Sequence, residues 1–104
     1  MNLPSNGKPR RFRVSYSNVM VKTIAELRYE ALLSGRLPQF ERAWRIILER
    51  LRSDPLAFGE FTRTYSHLKL RAHVGSVHPI TIQFAIHEGL SMVFIGKVIL
   101  ATLP

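Results

Sequence analysis

The chain has 104 residues, 46% of them hydrophobic and 21% charged, which suffices for one packed domain and excludes both two separate cores and a disordered chain. Lysine and arginine number 15 against 7 acidic residues, and the resulting charge of +8 points to an anionic partner: nucleic acid, the ribosome, an acidic protein or an anionic membrane surface. Cysteine is absent, which removes disulfide scaffolds, thiolate metal sites and thiol nucleophiles.

Pro4, Gly7 and Pro9 deny the opening segment regular backbone hydrogen bonds, so residues 1–10 are expected to form a mobile basic tail ahead of a single domain over 11–104. Lys8 and Arg10, with Arg11 and Arg13 just beyond, offer that tail an electrostatic hold on RNA. The opening lacks the apolar run of a secretory signal. The longest apolar run, Met92 to Ile95, falls far short of the roughly 20 residues a membrane helix needs, so a cytoplasmic protein without a membrane partner is expected.

From Phe12 to Tyr16 the residues alternate, placing Phe12, Val14 and Tyr16 on one face of a short strand. Ser17 or Asn18 then caps a helix whose apolar stripe is Met20, Ile24, Leu27 and Ala31, and Gly35 ends it. Pro38 suits the first turn of a second helix, on which Phe40, Ala43, Trp44, Ile47, Leu48 and Leu51 mark the buried face, with Trp44 read as core. Asp54-Pro55 stops it, because the residue before proline is pushed out of the helical region. The connection Ser34 to Leu37 is short enough to impose an antiparallel hairpin of helices. Strands follow at Phe61 to Tyr65, Leu68 to Val74, Ile80 to His87 and Met92 to about Leu100. Their breaks are a tight connection at Ser66-His67, a turn at Gly75 to Pro79, and a hairpin at Glu88-Gly89 in which Gly89 supplies a positive φ. The order predicts an α+β fold: a two-layer sandwich of an N-terminal strand, a helical hairpin and three to four mostly antiparallel strands.

In the stretch Leu68 to Val74 the apolar set Leu68, Leu70, Ala72 and Val74 is expected to face the helices, leaving Lys69, Arg71 and His73 in one cationic row on the outer face. Arg63 and Tyr65 extend that row. Such a row can hold successive phosphates. Cleavage of RNA by its own 2′-hydroxyl needs a base, an acid and cations on the charged intermediate, which His, Lys and Arg supply without metal or cofactor. Lys69, Arg71 and His73 are therefore the candidate catalytic residues, and Arg63, Tyr65, Lys97, Arg11 and Arg13 the candidate nucleic-acid contacts. No two of His67, His73, His78 and His87 have the helical i,i+4 spacing of a zinc motif, and no Gly-rich phosphate loop occurs.

Several stretches in this order, namely Phe40-x-x-Ala43-x-x-x-Ile47-x-x-x-Leu51-x-x-Asp54-Pro55, Phe58-Gly59-Glu60, Leu68-Lys69-Leu70-Arg71, Pro79-Ile80 and Val93-x-Ile95, resemble the RelE/ParE superfamily of bacterial toxin–antitoxin toxins. The resemblance covers residues 12 to 100 and implies a toxin of a type II system, neutralised by an antitoxin protein. In the ribonuclease branch it implies Lys and Arg on the outer sheet face that grip ribosome-bound messenger RNA, and Lys69 and Arg71 match in position and type. Pro79 stands where that branch has an Arg, and Lys97 followed by an apolar end replaces its terminal His-Arg or Tyr. The gyrase-directed ParE branch, or an orphan relative that only binds protein, implies no such catalytic set.

Overall fold

A computed structural model describes residues 10–102. Arg13–Ser15 form β1, Asn18–Leu33 α1, Leu37–Ser53 α2, Glu60–Tyr65 β2, Leu70–Val77 β3, Ile80–His87 β4 and Met92–Leu100 β5. The strands make one mixed sheet in the order β1-β5-β4-β3-β2, with β1 parallel to β5 and every other pair antiparallel. The two helices pack on the sheet, α1 over β5 and α2 over β1, β3 and β4, giving the expected two-layer α+β arrangement. No helix among the described residues is long and apolar enough to cross a membrane.

Local chemistry sets each boundary of the hairpin. Ser17 Oγ accepts from the Met20 amide at 3.1 Å and caps α1. At the other end Gly35 takes φ +74°, while the amides of Arg36 and Gly35 donate to the carbonyls of Ala31 and Leu32, so the last turn closes in a Schellman motif. Pro38 lies in the first turn of α2, and the Asp54 amide closes its last turn on the Arg50 carbonyl.

The core lies between the hairpin and the inner face of the sheet. Phe40, Ile47 and Leu51 from α2 meet Ile80, Ile82 and Ile86 of β4 and Val93 of β5, all without solvent exposure, and each such side chain contributes about 1.5–3 kcal/mol by burial. Met20, Ile24 and Ala31 add the α1 stripe, and Trp44 is buried as expected. Tyr16, expected beside Phe12 and Val14, lies beyond β1 and is exposed, whereas Phe12 is buried and bonds its amide to the Arg52 carbonyl.

Three turns differ from expectation. β3 continues through Gly75 to Val77, and only His78 and Pro79 form the turn, with Val77 paired to Ile80. Leu68 and Lys69 belong to a short 3-10 turn and its cap, so β3 starts at Leu70 and Leu68 is exposed instead of facing the helices. In the β4–β5 turn the positive φ belongs to Ser91, at 51°, and not to Gly89. The tail expected over 1–10 lies outside the described residues except for Arg10. That residue is bonded to Ser91 Oγ at 3.0 Å and to the Glu88 carbonyl, with its guanidinium 4.7 Å from the centre of the Phe12 ring.

Candidate nucleic-acid interface

The expected row of Lys69, Arg71 and His73 does not exist as a row. Lys69 caps the 3-10 turn in the left-handed region at φ 57° and precedes the strand. Arg71 pairs with Ile86 and His73 with Phe84, both core residues, so these two side chains point to the helix side of the sheet. Parity is the physical reason. The inward set Ile80, Ile82, Phe84 and Ile86 is fixed by burial, and a two-residue turn places Val77 opposite Ile80. Gly75, His73 and Arg71 must then share the inner face, while Leu70, Ala72 and Val74 face outward.

His73 is the one buried polar side chain among the described residues, at 4% exposure. It lies among aromatic rings, 5.5 Å from Phe84 and 5.9 Å edge-on from Phe61, while Phe58 stacks on Phe84. Nδ1 is 3.2 Å from the Phe58 carbonyl oxygen, which only accepts, so the proton belongs on Nδ1, and the buried Nε2 has no partner. Arg71 remains exposed at the rim of this cluster, its guanidinium 5.2 Å from the centre of the Phe61 ring. Its imidazole lies on the helix side of the sheet, opposite the side to which Ala72 and Val74 point.

The outer face gathers the other candidates. In β2 a bulge at Thr62 lets Phe61 pair with His73 while Arg63 pairs with Ala72, so Arg63 and, two residues on, Tyr65 turn outward. Thr62 Oγ1 donates to the Ala72 carbonyl at 3.0 Å and fixes that bulge. In β5 a second bulge, at Gly96, keeps both Ile95 and Val98 buried and turns Lys97 outward opposite Gln83. Two irregularities thus aim two cations at the same surface. Arg63 also sits 5.7 Å from the centre of the Tyr65 ring.

Between these cations the sheet floor is made of small residues. One hollow of about 270 Å³ is lined by Thr62, Arg63, Tyr65, Ala72, Val74 and Gln83, and His73 borders it from between Ala72 and Val74. A second of about 210 Å³ shares Tyr65, Ala72 and Gln83 and runs on to Ala85, Phe94 and Gly96. Lys97 and Arg63 lie three strands apart, a span of roughly 15 Å at about 4.8 Å between strands. Arg13 pairs with Met92 at the β1 edge and is exposed on the same outer side, whereas Arg11 is held 3.2 Å from Glu49 of α2 in an exposed ion pair. Such a pair is worth at most about 1 kcal/mol.

Sequence reasoning missed Gln83, Phe94 and His87 as members of this face. The signal was present: Ile80, Ile82, Phe84 and Ile86 alternate so cleanly that Thr81, Gln83, Ala85 and His87 must face outward. His87 pairs with Met92, is half-buried, and accepts the Leu90 amide on Nδ1 at 3.1 Å, which leaves the proton on Nε2. No group of three or more His, Asp or Glu among the described residues is placed to hold a metal ion. Comparison with known proteins finds no matching family model, curated protein or solved structure.

Proposed function

We propose that this chain is a cytoplasmic toxin of the RelE/ParE kind that binds single-stranded RNA on the outer face of its sheet. The observation that carries the reading is the convergence of Arg63, Lys97, Tyr65 and Phe94 around an uncovered groove in a chain of charge +8. Guanidinium and ammonium groups at the two sides meet phosphates, and the rings of Tyr65 and Phe94 on the same two strands offer stacking to bases laid across the small-residue floor. The α+β order of strand, helical hairpin and a mixed five-stranded sheet is compatible with the fold the resemblance implies, which supports the reading.

Within this reading RNA cleavage does not pass through Lys69, Arg71 and His73. The proton-bearing groups on the outer face are Tyr65, His87 and Lys97, so an endoribonuclease reaction on ribosome-bound messenger RNA would draw on those. Lys97 and Arg63 would carry the charge of the intermediate.

A second reading, a ParE-like or orphan protein-binding module, rests on α1. Val19, Val21, Tyr29, Leu32 and Leu33 are exposed there, and a hollow of about 200 Å³ lined by Tyr16, Val21, Ala25 and Trp44 opens beside them. The same surface is where an antitoxin would pack if this chain is the toxin of a pair.

Expression in a bacterial host separates the two. The RNA reading expects growth arrest with loss of intact messages, abolished by the double variant Arg63→Ala, Lys97→Ala, which remains folded by circular dichroism. Arrest with intact messages, unaffected by that double variant, would replace it with the protein-binding reading.

A further inference from the structure

We propose that the outer face prefers adenine, and that Gln83 is the residue that reads the base; the inference rests on the RNA-binding reading and deepens it. Gln83 lies in the middle of β4, exposed, with Val74 opposite on one side and Lys97 on the other. It lines both hollows, and its only companions in doing so are Tyr65 and Ala72. No side-chain hydrogen bond among the described residues engages its amide. A free carboxamide therefore stands at the junction of two base-sized depressions, beside an aromatic ring and next to a cation.

The chemistry of the amide selects among bases. Its oxygen accepts and its NH2 donates, side by side. Adenine presents the matching pair of N6–H donor and ring-nitrogen acceptor on its Hoogsteen edge, where glutamine binds it bidentately. It presents the same pair on its Watson–Crick edge, so a loosely held single strand has two productive orientations. Guanine offers two acceptors, N7 and O6, on its Hoogsteen edge, which repel the amide oxygen, so of these two edges only its Watson–Crick one, with O6 and N1–H, suits the amide. Cytosine and uracil match on one edge only.

The floor beneath the amide points the same way. Ala72, Ala85 and Gly96 leave the strand surface low between Tyr65 and Phe94, so a flat bicyclic ring can lie against it and present an edge to Gln83. Lys97, directly across from Gln83, is placed to hold the phosphate of the nucleotide so read. Gln83 acts here as a specificity residue, with affinity supplied by the cations and rings around it.

Fluorescence anisotropy with labelled short oligo(A), oligo(U) and oligo(C) tests this on the whole chain, with Gln83→Leu and Arg63→Ala as variants. The expected result is that the wild type binds oligo(A) at least about twofold more tightly than the pyrimidine probes, as a second matching edge allows. Gln83→Leu should lose that preference and bind oligo(A) no more tightly than the pyrimidine probes. Equal binding of all probes by the wild type, weakened by Arg63→Ala, would overturn the adenine inference and leave RNA binding standing. An adenine preference that survives in Gln83→Leu would overturn the role of Gln83. Failure of every probe to bind would overturn this inference together with the reading beneath it.

Discussion

Arg63 and His73 belong to neighbouring strands and lie on opposite faces of the sheet, because the bulge at Thr62 separates Phe61, which pairs with His73, from Arg63, which pairs with Ala72. One inserted residue thus turns Arg63 to the solvent-facing groove while Phe61, two residues before it, shares the face on which His73 is buried.

His73 is therefore a structural residue. His73→Leu removes the donor to the buried Phe58 carbonyl, which costs 1–3 kcal/mol in general, and removes the unpartnered Nε2, which offsets part of that cost. A net loss of about 1 kcal/mol in urea unfolding is expected, with RNA affinity unchanged.

Two glycines with nearly the same positive φ should respond differently to alanine. Gly35, at φ +74°, has open space where a Cβ would stand, so Gly35→Ala costs only the left-handed penalty, about 1–2 kcal/mol. Gly59, at φ +73°, would place its Cβ 2.2 Å from the Val74 carbonyl oxygen, inside the β2–β3 ladder. Gly59→Ala should cost clearly more than Gly35→Ala, and denaturant midpoints of the two variants compare them directly.

The rings on the outer face should contribute by stacking and not by charge. Tyr65→Ala and Phe94→Ala are each expected to weaken binding to single-stranded RNA by about 1–3 kcal/mol while leaving its salt dependence unaltered. Titrations at two ionic strengths check both parts.

Much of the fold was legible because its signals are local. Ser17, Gly35, Pro38 and Asp54-Pro55 each act through a neighbouring backbone group, and the stripe from Phe40 to Leu51 needs no partner to be read. The face of β3 was not legible in this way. Leu70, Ala72 and Val74 are apolar, and Arg71 and His73 are polar, yet the polar set faces in. Burial on that strand is decided by Phe58 and Phe61, which arrive from the preceding loop and strand. Phe58 presses on Gly75, where a Cβ would lie 2.7 Å from its ring, and it encloses His73 with Phe84. The turn at His78-Pro79 held the correcting information. Read as a two-residue hairpin, it transfers the unambiguous parity of β4 to β3. The bulges at Thr62 and Gly96 break period-2 alternation within β2 and β5, so strict alternation alone could not place Arg63 and Lys97 on one face.

The salt dependence of single-stranded RNA binding by Arg63→Ala, Lys97→Ala and Arg71→Ala tests most directly whether the outer face is the RNA site. All three side chains are exposed, and each substitution should change stability by no more than about 0.5 kcal/mol. A phosphate contact to a single strand contributes about 0.7 to the slope of log K against log salt. The account predicts that Arg63→Ala and Lys97→Ala each flatten the slope by about that amount while Arg71→Ala leaves it at the wild-type value. A slope lowered by Arg71→Ala and untouched by the other two would contradict it, and would move the site to the rim of the Phe61 and His73 cluster.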